Sequence, residues 1–395
     1  MGRIFVFFVG WIGFIFLVSA LIHFGKSIET SGDAEEYKVV TLVYENDTFQ
    51  EIQKAYSDKD YLKALQLIDQ HEATFVKLSQ AKSSPNRPNG SELAYHFYYL
   101  KGHVHSSLWQ HVEAEKAWTT AIGLTNNTGY RAKLARLIKA SDQMVNDISS
   151  ERNQRDYYQA SPFVGPASAL KGKVVVAYIF LTDGALQSWS IRKRDFVMNN
   201  WGMAENWMMQ NSKSYSSNLS FVRRLFVVDK NPYIKRLQVG DYDMNFTNAD
   251  RVAQLAAEHF GFSNMLGFLN EIKRQENADQ AILMLHLARD GRSFASRCMY
   301  SCQSGAEFVF LMEKPNSKYW QAMGYAQAHE TLHLFGADDL YNIDKAKYYA
   351  VRDIMNYPSN VLAASTMDDI TAYAIGLTET EPKAPFKIRN YTPGR

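Results

Sequence analysis

His329-Glu330-Thr331-Leu332-His333-Leu334-Phe335-Gly336-Ala337-Asp338-Asp339 is the stretch on which the reading of this chain turns. Histidines at i and i+4 lie one helical turn apart on the same face, so both imidazoles can reach one ion. Glu330 follows the first histidine and stands where it can take a proton from water at an open coordination position. Gly336 lets the backbone turn sharply after the second histidine. Asp339 can then swing back as a third, oxygen ligand. Three protein ligands leave one position for water, which a catalytic zinc site needs and a closed structural site lacks. Asp338 competes for the third place, and the spacing from Gly336 favours Asp339. The plain alternative is an amphipathic helix whose histidines only pack or face solvent.

Downstream stands Asp353-Ile354-Met355-Asn356-Tyr357-Pro358. With these residues added, the chain resembles the metzincin clan of zinc metallopeptidases, whose pattern is His-Glu-x-x-His-x-x-Gly-x-x-(His or Asp) followed by a methionine turn. The resemblance is specific over residues 320–377 and architectural over the residues before them. It implies Zn2+ held by His329, His333 and Asp339, with Glu330 as general base. It implies Met355 as an apolar floor under the histidines. Tyr357, two residues on, would match the tyrosine that approaches the metal in astacin- and serralysin-like members. The implied activity is hydrolysis of a protein or peptide substrate. Most metzincins have histidine as third ligand; Asp339 departs from them, as snapalysin-like members do, and leaves the ion less positive overall. A distal glutamate ligand, as in thermolysin-like enzymes, would leave Gly336, Asp339 and Met355 unexplained. Residues 365–370 open a short helix with capping side chains and early acids, like the closing helix of that fold.

Outward from the motif, Phe308-Val309-Phe310-Leu311-Met312 reads as the strand immediately before the metal helix. In metzincins that strand forms the lower-numbered edge of the cleft and pairs with the substrate backbone. The helix itself is expected to begin near Ser317 and to end at Gly336. Val174-Val175-Val176-Ala177-Tyr178-Ile179-Phe180 reads as a buried strand, and residues 190–210 as a helix. Residues 221–228 and 281–287 read as further strands, with an amphipathic helical stretch over 249–275 between them. The Met and Trp residues of 201–209 suit core packing better than a cofactor box. Residues 173–395 are therefore expected to form an α+β, metzincin-like zincin catalytic domain, a twisted mixed sheet with the active-site helix.

Residues 149–172, with Pro162, Gly165, Pro166 and Gly172, read as a linker. Before them, residues 46–145 carry a purely helical pattern. Gly102, Ala114, Trp118 and Ala121 fall at offsets where a tetratricopeptide repeat places its small and aromatic packing residues, so this region resembles such a repeat. A weaker copy surrounds Tyr61 and Ala64. An ordinary helical bundle is the competing reading. Either form offers a docking surface for a protein partner.

The chain has 395 residues, enough for two ordinary domains. A net charge of +2 without a basic run gives no reason to expect nucleic acid. Residues 4–24 are apolar apart from Ser19 and His23, about 21 residues, long enough to cross a bilayer. Arg3 precedes this segment and Glu29, Asp33, Glu35 and Glu36 follow it. That asymmetry places the N-terminus inside and the rest of the chain outside the cytoplasm. Residues 1–25 are expected to be a membrane anchor; a signal peptide cleaved after Val18-Ser19-Ala20, releasing a secreted protein, is the alternative. The only two cysteines, Cys298 and Cys302, suit a small-loop disulfide in an extracytoplasmic domain, or two free thiols. The function opposed to peptide hydrolysis is a membrane-anchored adaptor whose zincin domain binds metal or a partner without turnover.

Overall fold

The structure, a computed structural model, describes residues 47–80, 90–150, 155–161, 167–181, 189–228, 246–288, 292–297, 306–312, 323–343, 345–356, 359 and 361–391. Residues 4–24, Ser317, Cys298, Cys302 and Tyr357 lie outside these. Among the described residues no helix is long and apolar enough to cross a membrane. In chain order come α1 (Asp47–Ser57), α2 (Tyr61–Gln80), α3 (Gly90–Ser107), α4 (His111–Leu124) and α5 (Thr128–Ser150). There follow β1 (Tyr157–Ala160), β2 (Lys173–Leu181), α6 (Ile191–Lys213), β3 (Ser220–Val228), α7 (Phe246–His259) and α8 (Met265–Gln275). Last are β4 (Gln280–Leu287), β5 (Phe294–Ser296), β6 (Phe308–Met312), α9 (Met323–Leu334), α10 (Asp369–Ala374) and β7 (Lys387–Asn390). The fold is α+β.

By packing, the chain divides into two compact units, Met1–Val104 with Ala114–Lys139, and His105–Glu113 with Ala140–Arg395. In the first unit Ala114 and Ala121 are fully buried. A Cβ on Gly102 would overlap the Trp118 ring, so glycine is what lets these two helices approach. The Trp118 indole N–H donates to Tyr99 O at 3.2 Å, so the buried ring leaves no orphan donor.

The second unit is built on a five-stranded sheet of order β3-β2-β4-β6-β5. All neighbours run parallel except β5, which is antiparallel to β6. The apolar run of β2 follows from burial on both faces. Val174, Val176, Tyr178 and Phe180 face a core shared with α6 and α9, including Trp201, Trp207, Tyr325, Leu332 and Met355. Val175, Ala177, Ile179 and Leu181 face a second core with α7 and α8, including Val252, Phe268 and Ile272. The sheet is thus sandwiched between helix layers, with α9 and its histidines on the α6 side.

Several expectations change here. Phe308–Met312 is not the sheet edge: β6 lies between β4 and β5, and β5 is the outermost strand on that side among the described residues. The stretch 249–275 is two helices, broken at Gly261 (φ +83°), with Asn264 capping α8 by accepting from Gly267 N at 2.8 Å. The stretch read as a linker contains β1, which pairs in parallel with β7 at the far end of the chain. The turn 108–110 packs within the second unit as well: the Gln110 amide donates to Ala364 O at 2.9 Å and Ser359 Oγ to Leu108 O at 2.8 Å. Ser190 caps α6 by accepting from Lys193 N, as a serine just before a helical run should.

Candidate metal centre

Helix α9 is buried over nearly its whole length, from Gly324 to Leu332 and at Leu334. Its hydroxyl at Thr331 is satisfied by the helix itself, donating to Gln327 O at 2.6 Å. Tyr325, Ala328 and Leu332 carry its apolar stripe into the core. The rings of His329 and His333, one turn apart, stand edge to face with centroids 4.8 Å apart.

Each ring is oriented by a backbone carbonyl. His329 Nδ1 donates to Ile354 O at 2.8 Å, and His333 Nδ1 donates to Ala337 O at 2.9 Å. A carbonyl only accepts, so each proton sits on Nδ1 and each Nε2 is left as the ligating atom. The two Nε2 atoms converge on Asp339 Oδ1, at 3.2 Å from His329 and 3.3 Å from His333. Bonds of about 2.0–2.1 Å to a small tetrahedral cation give ligand–ligand edges of about 3.3 Å, which these separations match. His329, His333 and Asp339 could thus hold one metal ion. Burial works against a charged His333, but the Asp339 carboxylate prevails and lifts it to about 9. Burial likewise opposes a charged Asp339, and the two imidazoles hold it well below the usual carboxylate range.

Asp339 reaches the imidazoles because the chain reverses at Gly336. This residue has φ +118°, where L side chains are rarely found. A Cβ there would stand 2.5 Å from both Ala374 O and Ser161 O. Asp338 turns away from the histidines. Its carboxylate takes Arg155 Nη2 at 2.7 Å and Gln159 N–H at 3.1 Å. Of the two adjacent aspartates, Asp339 alone joins the cluster.

Glu330 is buried on α9. Its charge is felt nearby: with burial first, then Asp353, Asp339 and Glu330, the Tyr325 phenol is pushed well above its ordinary range. Met355 is fully buried in the same core as Tyr325 and Leu332, and its carbonyl accepts from Leu340 N at 2.8 Å. Comparison with protein-family models, curated proteins and solved structures finds no match.

Some contributors were not legible in sequence. Ile354 O accepts from Tyr325 OH at 2.6 Å as well as from His329, and a backbone carbonyl leaves no trace in residue type. Asp353 has a fully buried carboxylate that accepts from Met355 N, Thr371 Oγ1 and Asp368 N at 2.7–2.8 Å. Burial pushes it up to about 8, with Asp368 adding to the rise and the three donors opposing it. An acid beginning a methionine turn, followed by a Thr near a helix start, was the only available hint.

Proposed function

We propose that this protein is a zinc-dependent endopeptidase of metzincin type, with His329, His333 and Asp339 holding the metal. The observation that carries the reading is the meeting of two preset Nε2 atoms and Asp339 Oδ1 beside buried Glu330. A nitrogen–oxygen donor set with neutral imidazoles suits this cation. When bound, Zn2+ supplies the charge that polarises a scissile carbonyl and acidifies the attacking water. Glu330 accepts the proton of that water and passes it to the leaving amine. Met355 keeps the floor under the imidazoles apolar, and Tyr357, by the metzincin resemblance, donates to the developing oxyanion. The outer edge of β5, with β6 its partner among the described residues, offers backbone groups to an extended peptide. Residues 4–24 would hold the enzyme in a membrane with its catalytic unit outside the cytoplasm, or be removed as a signal. The first unit would dock a protein partner.

Peptide-library cleavage by zinc-loaded protein, with and without a chelator, tests the activity. Glu330→Gln should keep full zinc stoichiometry and lose hydrolysis by at least about a hundredfold, as removal of a general base does. Asp339→Ala should instead lose the metal, because two histidines do not enclose it. Zinc-loaded protein that cuts no peptide would point to the adaptor. Cleavage by Glu330→Gln at the normal rate would overturn the mechanism.

A further inference from the structure

We propose that residues 155–161, ahead of the sheet, form a strap that sets the position of Asp339, with Arg155, Tyr158 and Asp338 as its positioning residues. The proposal rests on the reading of His329, His333 and Asp339 as a zinc centre. After α9 the chain must leave the helix, reverse at Gly336 and bring Asp339 back to the imidazoles. The loop's own turns satisfy part of its backbone, Gly336 N donating to His333 O and Ala337 N to Leu332 O, and its remaining buried groups need partners from outside. The strap supplies the partners. Ser161 N donates to Gly336 O at 3.2 Å, and Arg155 N donates to Asn342 O at 2.9 Å. Between these ends, Asp338 N donates to Tyr158 OH at 3.0 Å, a hydroxyl on a fully buried ring.

Asp338 joins the strap to the ligand. One side of its carboxylate bonding comes from Arg155 Nη2 at 2.7 Å and Gln159 N at 3.1 Å. The other comes from Asp339 N at 2.9 Å to Asp338 Oδ1. The peptide N–H that precedes the Asp339 Cα is therefore held by a carboxylate that the strap orients. Partners that hold a ligand's side chain typically change metal affinity about 10–100-fold when removed, and one that holds the ligand's backbone is expected at the lower end of that range. The strap is itself fixed by β7, in parallel register from Tyr157–Lys387 to Ala160–Asn390, and by Tyr391 N donating to Ala160 O at 2.8 Å. A carboxylate next to the ligand, spent on a strand so far away in sequence, does more than fill a surface.

The test is zinc affinity, measured by competition with a chromogenic chelator on full-length protein well below its melting temperature. Arg155→Ala and Asp338→Ala are each expected to weaken zinc binding by about tenfold or more. Asp338→Asn should fall between wild type and Asp338→Ala, since its amide oxygen still accepts the Asp339 N–H. Tyr158→Phe, which removes only the hydroxyl, should weaken binding severalfold; circular dichroism checks that each variant is folded. A strap that serves stability alone would lower the melting temperature of the metal-free variants and leave their zinc affinity at the wild-type value, and that result overturns the proposal. Wild-type protein that takes up no zinc would overturn the zinc-centre reading, and the proposal with it.

Discussion

Gly336 leaves α9 at φ +118°, and the space where a Cβ would stand is taken by the carbonyls of Ala374 and Ser161 at 2.5 Å. Both obstacles are backbone, so neither can rotate away. Backbone strain at such a φ alone costs roughly 1–3 kcal/mol, and the overlap adds to it. Gly336→Ala is therefore expected to destabilise the second unit by about 3 kcal/mol or more, measured by denaturant unfolding of metal-free protein. A loss below about 1 kcal/mol would mean that the turn relaxes easily and that the glycine serves only the motif. At this scale the sequence was informative wherever chemistry depends on residue type. The histidine spacing, the glycine and the approach of Asp339 rather than Asp338 to the imidazoles could all be read from the motif. The partners of Asp338 could not, because Arg155 and Tyr158 meet it through a strand whose own pairing is set by residues 387–390.

Helix α9 and the methionine turn are joined at one residue, Ile354. Ile354 O accepts from Tyr325 and His329, while Ile354 N donates to Thr366 O at 2.9 Å. Asp353 then ties the turn to the start of α10 through Asp368 N and Thr371 Oγ1. Removing that carboxylate strands a buried backbone donor, a part-buried one and a buried hydroxyl, each buried group costing about 1–3 kcal/mol. Asp353→Ala should accordingly lose about 3 kcal/mol or more in urea unfolding. Asp353→Asn should lose less, since one oxygen remains to accept from Met355 N and Thr371. Equal losses for the two variants would show that the packing of this side chain matters and its hydrogen bonds do not. Elements with a clear pattern were legible, as β2 and β4 are, because burial on both faces demands an unbroken apolar run. The break between α7 and α8 was signalled by Gly261 and Asn264, but the amphipathic pattern runs across it. Strand β5 has three residues, too few for any period to declare itself.

At the scale of the whole molecule, the change from helical to mixed periodicity was visible in sequence, and the strand inside the Pro/Gly-bearing stretch was not. A strand of four residues gains its identity from a partner, here β7, and not from local preference. Histidines fully or partly withdrawn from water give both units a common response to acid. In the second unit His286 is fully buried beside Trp189, with Nδ1 2.8 Å from Tyr178 OH, and burial pulls its pKa down to about 3. In the first unit burial lowers His96 to about 4, and burial with the Lys133 charge lowers His103 to about 4. The sign follows from linkage. Between these values and the unfolded value of about 6.5, the unfolded chain binds protons that the folded chain refuses, so stability falls as pH falls. His333, raised to about 9 in metal-free protein, acts in the opposite sense and loses its contribution as pH rises through that value. Each pH unit inside the window is worth about 1.4 kcal/mol per group. His286 alone should therefore cost the second unit about 2 kcal/mol between pH 7 and pH 5. His286→Gln, which cannot take up that proton, should flatten the pH dependence of unfolding in this range by about that amount. An unchanged slope in His286→Gln would show that His286 does not titrate on unfolding, and acid sensitivity would then have to come from other groups.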